Sequence, residues 1–212
     1  MKNLKNWIIM IILICMYTIF CAYSYVQAIS SDLKNSVFRL HVIANSDSEE
    51  DQNLKYKVRD NLLNYMNEQC ANCFSKDEAI SIAQNHINDF EQIAKDTIKS
   101  EGYSYDVDVQ IGEFQFPTKK YGNINFPAGI YDALKVKIGN AEGHNWWCVM
   151  FPPLCFVDIS NGVIPDDSKR ILKDELTNEE FALISNDSNS DINFKFKILE
   201  IFSNSKMHTA KN

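Results

Sequence analysis

Val37-Phe-Arg-Leu-His-Val-Ile-Ala44, then Asn45-Ser-Asp-Ser48, then Glu49-Glu-Asp-Gln-Asn-Leu-Lys-Tyr-Lys-Val-Arg-Asp60 is the stretch on which the fold turns. Its first eight residues are β-branched and partly alternating, which reads as a strand. The next four break it and bring capping oxygens. Ser46 with Glu49, or Ser48 with Asp51, offers acceptors for the backbone N–H groups that a helix start leaves unpaired. Beyond them Leu54, Val58, Leu62 and Tyr65/Met66 fall on one helical face, with Lys55, Lys57, Arg59 and Asp60 between them. This strand and helix open the order β-α-α-β-β-β-(linker)-β, which suggests an α+β domain.

Downstream, Ser75-Lys-Asp-Glu78 is a cleaner capping box, and Ile80, Ala83, Ile87, Phe90/Ile93 and Ala94 carry a second amphipathic helix to about Ser100. Gly102 can end it in the left-handed conformation. Tyr103-Ser-Tyr-Asp-Val-Asp-Val-Gln-Ile111 alternates without a fault, a half-buried strand with one acidic, solvated face. Phe116-Pro117 to Pro127-Ala-Gly129 reads as a long loop containing Tyr121 and Phe126. Aromatics there pin a loop to the core more often than they form a recognition surface. Tyr131 to Ile138 is a strand, Gly139-Asn-Ala-Glu-Gly143 a turn, and Asn145-Trp-Trp-Cys-Val-Met-Phe151 a returning strand, apolar enough to be central. Pro152-Pro153 stops it. Asn193-Phe-Lys-Phe-Lys-Ile198 alternates again and reads as a last strand, with an amphipathic helix as the alternative.

The expected architecture is therefore two amphipathic helices packed on a small, mostly antiparallel sheet, preceded by an N-terminal signal or anchor segment. The expected divisions are residues 1–28 as signal peptide or signal anchor and 35–158 as the α+β domain. An acidic flexible linker with room for a short helix from Thr177 to Ile184 spans 159–191, followed by a C-terminal strand at 192–203 and a frayed tail at 204–212.

The chain has 212 residues and a net charge of −7. Residues 1–28 hold Lys2 and Lys5 and no acid. Of the 21 Lys+Arg, 19 are left for the remainder against 28 Asp+Glu, a net of −9. Such an acidic body without a long basic run is a poor match for nucleic acid, whose phosphates call for lysine and arginine. The two lysines precede Trp7-Ile-Ile-Met-Ile-Ile-Leu-Ile-Cys-Met-Tyr-Thr-Ile-Phe-Cys-Ala22, the grammar of an export signal. Val26-Gln27-Ala28 is a passable cleavage site. A cleaved signal fits, and so does an uncleaved anchor over residues 7–23 that would hold the chain on the membrane. A lipoprotein signal fits less well, because Phe20 precedes Cys21.

Four cysteines lie beyond the apolar segment: Cys70, Cys73, Cys148 and Cys155. Outside the membrane they are compatible with one or two disulfides, with reduced thiols, or with a thiolate metal site, the last weakened by the loose spacing of the second pair. Cys148–Cys155 is the better disulfide candidate, since the two prolines can fold the chain back. The histidines at 41, 86, 144 and 208 show no metal-ligand spacing. A His144/Cys148 dyad is disfavoured because burial in an apolar strand raises a thiol pKa. Asp106 and Asp108 share a strand face, where a solvated surface is the simpler account than paired catalytic carboxylates. With no nucleophile elbow, zinc-protease helix, phosphate loop or dinucleotide fingerprint, the residues supply no catalytic constellation, no cofactor site and no metal site.

Two segments are more specific than this. One is Phe38-Arg-Leu-His-Val-Ile-Ala-Asn-Ser-Asp-Ser48 with Asp51-Gln-Asn-Leu-Lys-Tyr-Lys-Val-Arg-Asp60. The other runs through Phe116-Pro-Thr-Lys-Lys-Tyr-Gly122, Phe126-Pro-Ala-Gly-Ile-Tyr131 and Asn145-Trp-Trp-Cys-Val-Met-Phe-Pro-Pro-Leu-Cys-Phe-Val-Asp158. Together they resemble the stage II sporulation protein R family of endospore-forming bacteria, over about Val37 to Asp158. The resemblance implies a non-enzymatic signal exported across the forespore membrane into the intermembrane space. Its implied partner is a mother-cell membrane aspartic protease, the stage II sporulation protein GA, which processes the precursor of sigma factor E. Cys148 and Cys155 fall inside the family motif, and Cys70 and Cys73 look peculiar to this chain. Candidate partner-binding residues are Asn45 and Asp47 in the turn, Tyr121 and Phe126 in the loop, and Trp146 and Trp147. The competing readings are an exported cell-envelope hydrolase or metal-dependent enzyme, and an envelope ligand-binding module.

Overall fold

The computed structural model describes residues 2–121, 124–155, 166–176, 181, 184 and 185. In chain order its elements are α1 (Lys2–Asn35), β1 (Phe38–Ile43), α2 (Glu49–Gln69), α3 (Lys76–Asn85), α4 (Ile87–Ser100), β2 (Val107–Phe116), β3 (Lys119–Tyr121), β4 (Ile124–Phe126), β5 (Gly129–Ile138), β6 (Asn145–Phe151) and α5 (Asp166–Glu175). The protein is a mixed helix-and-sheet fold with a mostly antiparallel sheet and an apolar N-terminal helix.

The sheet has the order β2-β5-β1-β6. β1 is buried along its whole length because it is flanked on both sides, parallel to β5 and antiparallel to β6, and covered on both faces. Its even-numbered residues Phe38, Leu40 and Val42 face α2 and α4 and meet Leu54, Val58, Leu62, Phe90, Ala94 and Ile98. Its odd-numbered residues face the other way. On that side Val37, just before the strand, joins a second core with Leu33, Phe116, Phe126, Tyr131, Val149, Leu154, Leu172 and Ile184. Truncating a fully buried leucine such as Leu62 costs about 2–5 kcal/mol, so each layer matters to the fold.

The cap of α2 forms as the sequence predicts, with the Ser48 hydroxyl accepting from the Asp51 N–H. The second predicted helix is interrupted. α3 ends at His86, which leaves the helical conformation at φ −109° and ψ 19°, and α4 starts immediately after it. The Tyr65 hydroxyl stands 2.9 Å from His86 Nδ1 and donates to Asp89 at 2.8 Å, so a side-chain cluster on α2 and α4 holds the break. The long loop contains a hairpin, β3 paired with β4. β2 is displaced toward the C-terminus from the predicted 103–111, because its register is set by the whole of β5, Val107 opposite Ile138 through Phe116 opposite Gly129.

β6 is an edge strand, where its apolar composition predicts a central one. It stays buried because the chain folds back over its open side. Leu154 N–H donates to the Val149 carbonyl at 3.2 Å, Cys155 is bonded to Cys148, and the Tyr121 hydroxyl donates to the Trp147 carbonyl at 3.0 Å. These contacts cap an edge that would otherwise invite pairing with other chains. α5 lies within the acidic stretch after Asp158 and reaches the second core through Leu172. Leu176 and Ile184 are buried beyond it. The predicted cap at 177–180, the strand at 192–203 and the tail at 204–212 lie outside the described residues.

α1 is exposed along Leu4–Cys21, an 18-residue window of mean hydropathy 2.0, long and apolar enough to cross a membrane and fitting a signal or anchor segment. Its last turn behaves differently. Leu33 is buried in the second core, and the Lys34 carbonyl accepts from Lys76 Nζ at 3.1 Å while that ammonium pairs with Asp132 at 2.5 Å.

Candidate functional site

At one end of the sheet the β1–α2 turn and the β5–β6 turn are laced together. Asn45 Oδ1 accepts from the Asn140 N–H at 3.0 Å, and Asn45 Nδ2 donates to Asp51 Oδ2 at 2.8 Å. The Ser46 hydroxyl donates to the same carboxylate oxygen at 2.5 Å. The Asn45 and Ala44 carbonyls accept from Glu142 and Gly143. Burial raises the cost of ionising Asp51, but the hydrogen bonds from Ser46, Asn45 and Tyr105 outweigh it, so its carboxyl sits below the usual range. Gly143 is required by the close approach, since a Cβ there would collide with the Ser46 carbonyl. Asn45 is thus a structural joint. Asp47 is exposed and accepts from the His144 backbone N–H at 2.6 Å, with the His144 ring against the same oxygen.

The tryptophan pair extends from this joint to both faces of β6. Trp146 faces the helices, where the Arg59 guanidinium lies 4.2 Å from its ring centroid and Tyr56 meets it edge-on at 5.5 Å. Trp147 faces the opposite way and stacks on His41 at 3.6 Å. His41 Nε2 stands 2.7 Å from Asn145 Oδ1. Burial is the main cause that pushes the His41 pKa down to about 4, opposed by the Asn145 contact and assisted by Lys135, so its ring is neutral at neutral pH. Both tryptophans are half-buried.

Tyr121 is half-buried and reaches the same neighbourhood through its hydroxyl, which bonds Arg39 and Trp147. Phe126 is fully buried and packs edge-on against Tyr121 at 5.7 Å. It pins the hairpin to the second core. The structure therefore gathers Asn45, Asp47, Trp146 and Trp147 at one end of the sheet, brings Tyr121 in beneath them, and keeps Phe126 in the core.

Sequence reasoning passed over Arg39, Tyr56 and Arg59. Arg39 is 0% exposed on the central strand, with its guanidinium 4.2 Å from the Phe116 centroid and 4.7 Å from that of Tyr131. The signal for it was a lone arginine inside an apolar run. Tyr56 and Arg59 carried none, since positions on the exposed face of an amphipathic helix look alike in sequence.

Cys148 is bonded to Cys155 and Cys70 to Cys73, so none of the four offers a free thiol here. Among the described residues no group of three or more His, Cys, Asp and Glu is placed to hold a metal ion. A cleft of about 280 Å³ lies where α1 meets the sheet, lined by Lys34, Lys76, Glu113, Ile130 and Asp132. Lys76 is already committed to Asp132 and the Lys34 carbonyl, and the cleft falls below the usual size of small-molecule pockets, about 300–1,000 Å³.

Comparison with known proteins bears on this arrangement directly. Over 130 residues the chain is 41% identical to stage II sporulation protein R of Bacillus subtilis (strain 168), a match covering 61% of this chain and 58% of that relative. No solved structure matches. The family described as stage II sporulation protein R matches residues 34–161, which takes in the last two residues of α1, the six strands among the described residues and the disulfide-closed loop after β6, so the chain belongs to that family.

Proposed function

We propose that this chain is a sporulation signal, exported across the forespore membrane into the intermembrane space. There it activates the membrane aspartic protease, stage II sporulation protein GA, and so triggers processing of the sigma factor E precursor. The observation that carries the reading is the family match over residues 34–161, preceded by a helix apolar enough to enter a membrane. A non-enzymatic role is supported by the chemistry of the site: His41 is neutral and stacked, and Cys148 is bonded to Cys155.

Such a signal works by binding the protease more tightly in its active state than in its inactive one, since a ligand with equal affinity for both shifts nothing. The surface assigned to that contact is the end of the sheet bearing Asp47, Trp146 and Trp147, supported from below by Tyr121. Tryptophan, tyrosine and arginine dominate the energetics of protein interfaces, and Trp146, Tyr56 and Arg59 form one contiguous cluster there.

The test is sigma-factor-E processing in a sporulating strain whose only copy carries Trp146→Ala, Trp147→Ala or Asp47→Ala, with export of each variant verified. At least one tryptophan variant is expected to lower processing tenfold or more, equivalent to ~1.4 kcal/mol of lost discrimination. Normal processing in a strain lacking the gene altogether would refute the function. Normal processing in all three variants would refute the surface alone.

A further inference from the structure

The end of the sheet opposite the tryptophans is where α1 enters the domain. Its last turn is fixed there to the start of β5. Lys76 Nζ donates to the Lys34 carbonyl at 3.1 Å and pairs with Asp132 at 2.5 Å. The Lys34 stem lies so close over Gly129 that a Cβ on that glycine would stand 2.6 Å from Lys34 Cε. Two apolar residues flank this joint. Phe74 is two residues before Lys76, and Ile130 is two before Asp132 on the same face of β5. Phe74 is 76% exposed and Ile130 53%, and outside α1 they are the exposed large hydrophobics among the described residues. Apolar side chains scattered singly over a surface need no account, but two at one end, where an apolar helix emerges, do. The backbone carrying Phe74 is held on both sides, by the Cys70–Cys73 bond before it and by its own N–H donating to Glu78 at 2.8 Å.

We infer that Phe74 and Ile130 form a membrane-contact surface: with α1 in a bilayer, they enter the headgroup layer of the leaflet from which the helix emerges. The lengths agree. No charge lies between Lys5 and Asp32. A span of about 20 residues begun at Trp7 crosses the ~30 Å hydrocarbon core by Val26. Eight further residues, about 12 Å of helix, lead to Lys34, and the headgroup layer occupies roughly the first 5–8 Å of that. The few ångströms left are within the length of a phenylalanine side chain, and tilt of the span shortens them. Asp77, Glu78 and Glu113 are exposed near this end, so the contact is apolar insertion among zwitterionic headgroups rather than attraction to anionic lipid.

The contact would also orient the body. β5 runs from Ile130 to Ile138, beside the Asn45–Asn140 bond, a rise of about 26 Å. A domain seated on Phe74 and Ile130 therefore points Asp47 and Trp146 away from that bilayer. The use of this orientation for partner binding rests on the proposed function; the contact itself does not.

Photocrosslinking of the full chain, one copy per phosphatidylcholine nanodisc, tests this. p-Benzoylphenylalanine replaces, one at a time, Phe74, Ile130, Ile14 within the span, and Gln110 and Asp47 away from it. All five positions are exposed, so no replacement opens a core. After irradiation, lipid adducts read by mass spectrometry are expected at 14, 74 and 130, with yields at 74 and 130 roughly tenfold above those at 110 and 47 and undiminished by salt. Adducts at 14, with yields at 74 and 130 no higher than at 110 and 47, overturn the contact and leave the span in place. Absence of adducts at 14 as well overturns the contact together with the anchor reading. Adducts to protein in place of lipid at 74 and 130, in discs loaded with two chains, overturn it in favour of a second copy.

Discussion

Arg39 donates through Nη2 to the hydroxyl of Tyr121 at 3.0 Å, so the central strand and the hairpin laid across it share one polar joint. The hydroxyl in turn donates a hydrogen bond to the Trp147 carbonyl at 3.0 Å, which brings the edge strand into the same joint. Arg39 Nη1 is buried without a hydrogen-bond partner, and among the described residues no carboxylate pairs with the guanidinium. Aromatic faces compensate for lost water instead. Tyr121→Phe is therefore expected to cost about 1–3 kcal/mol in urea unfolding, because it strands a buried donor. Arg39→Met, which fills the space without a charge to desolvate, is expected to lose less stability than Arg39→Ala, which opens a cavity. An Arg39→Met protein less stable than Arg39→Ala would contradict this account.

His41 gives the fold an acid-sensitive element. Its folded pKa of about 4 lies below an unfolded value near 6.5. Between those two values the unfolded chain binds the proton and the folded chain does not, so stability falls as pH drops from about 6.5 to about 4. The loss amounts to as much as ~3 kcal/mol. Replacing His41 with Phe should flatten that part of a stability-versus-pH curve measured by denaturant titration. An unchanged slope in the variant would assign it to other groups.

Gly143 is expected to tolerate no side chain. A methyl group there runs into the Ser46 carbonyl, and relieving the clash means parting the two turns that hold Asn45, Asp51 and Asn140 together. Gly143→Ala should lower stability by about 2–4 kcal/mol in thermal or denaturant unfolding. Gly112→Ala is a useful control, since its nearest neighbours are Phe114 ring atoms at ordinary contact distance, 3.8 Å. Equal losses in the two variants would show that the turn is not tight.

The Cys148–Cys155 bond closes a short loop over the edge of β6. By the loop-entropy estimate it contributes about 2–3 kcal/mol. Cys148→Ala/Cys155→Ala is expected to lower the melting temperature and to speed exchange of β6 amides, whereas Cys70→Ala/Cys73→Ala should leave β6 exchange unchanged. Faster β6 exchange in the second variant would assign the protection elsewhere.

Much of the fold is legible in the sequence where a local rule and the tertiary environment agree. Ser48 and Ser75 cap helices because capping is decided within four residues. β5 alternates because its two faces meet different layers. The misread elements depend on distant partners. An apolar strand looks central whether its second side is covered by a strand or, as in β6, by a loop and a disulfide. The hairpin at 119–126 is short, and its stability comes from Phe126 sinking into a core built by residues from α1 to Ile184. In the candidate site, period two alone puts Trp146 and Trp147 on opposite faces. The joining of Asp47 to His144 across 97 positions of sequence has no local signature.

α1 ends inside the domain core, where Leu33 is buried and Lys76 secures the last turn. The border between the segment that fits a signal or anchor and the folded body thus runs through a helix, upstream of Leu33, and does not coincide with the helix end. Cleavage after Ala28 would leave that docking turn in place, whereas trimming beyond Leu33 would uncork the hydrophobic layer under the hairpin. If the segment is kept as an anchor, one continuous helix would join the bilayer to the second core.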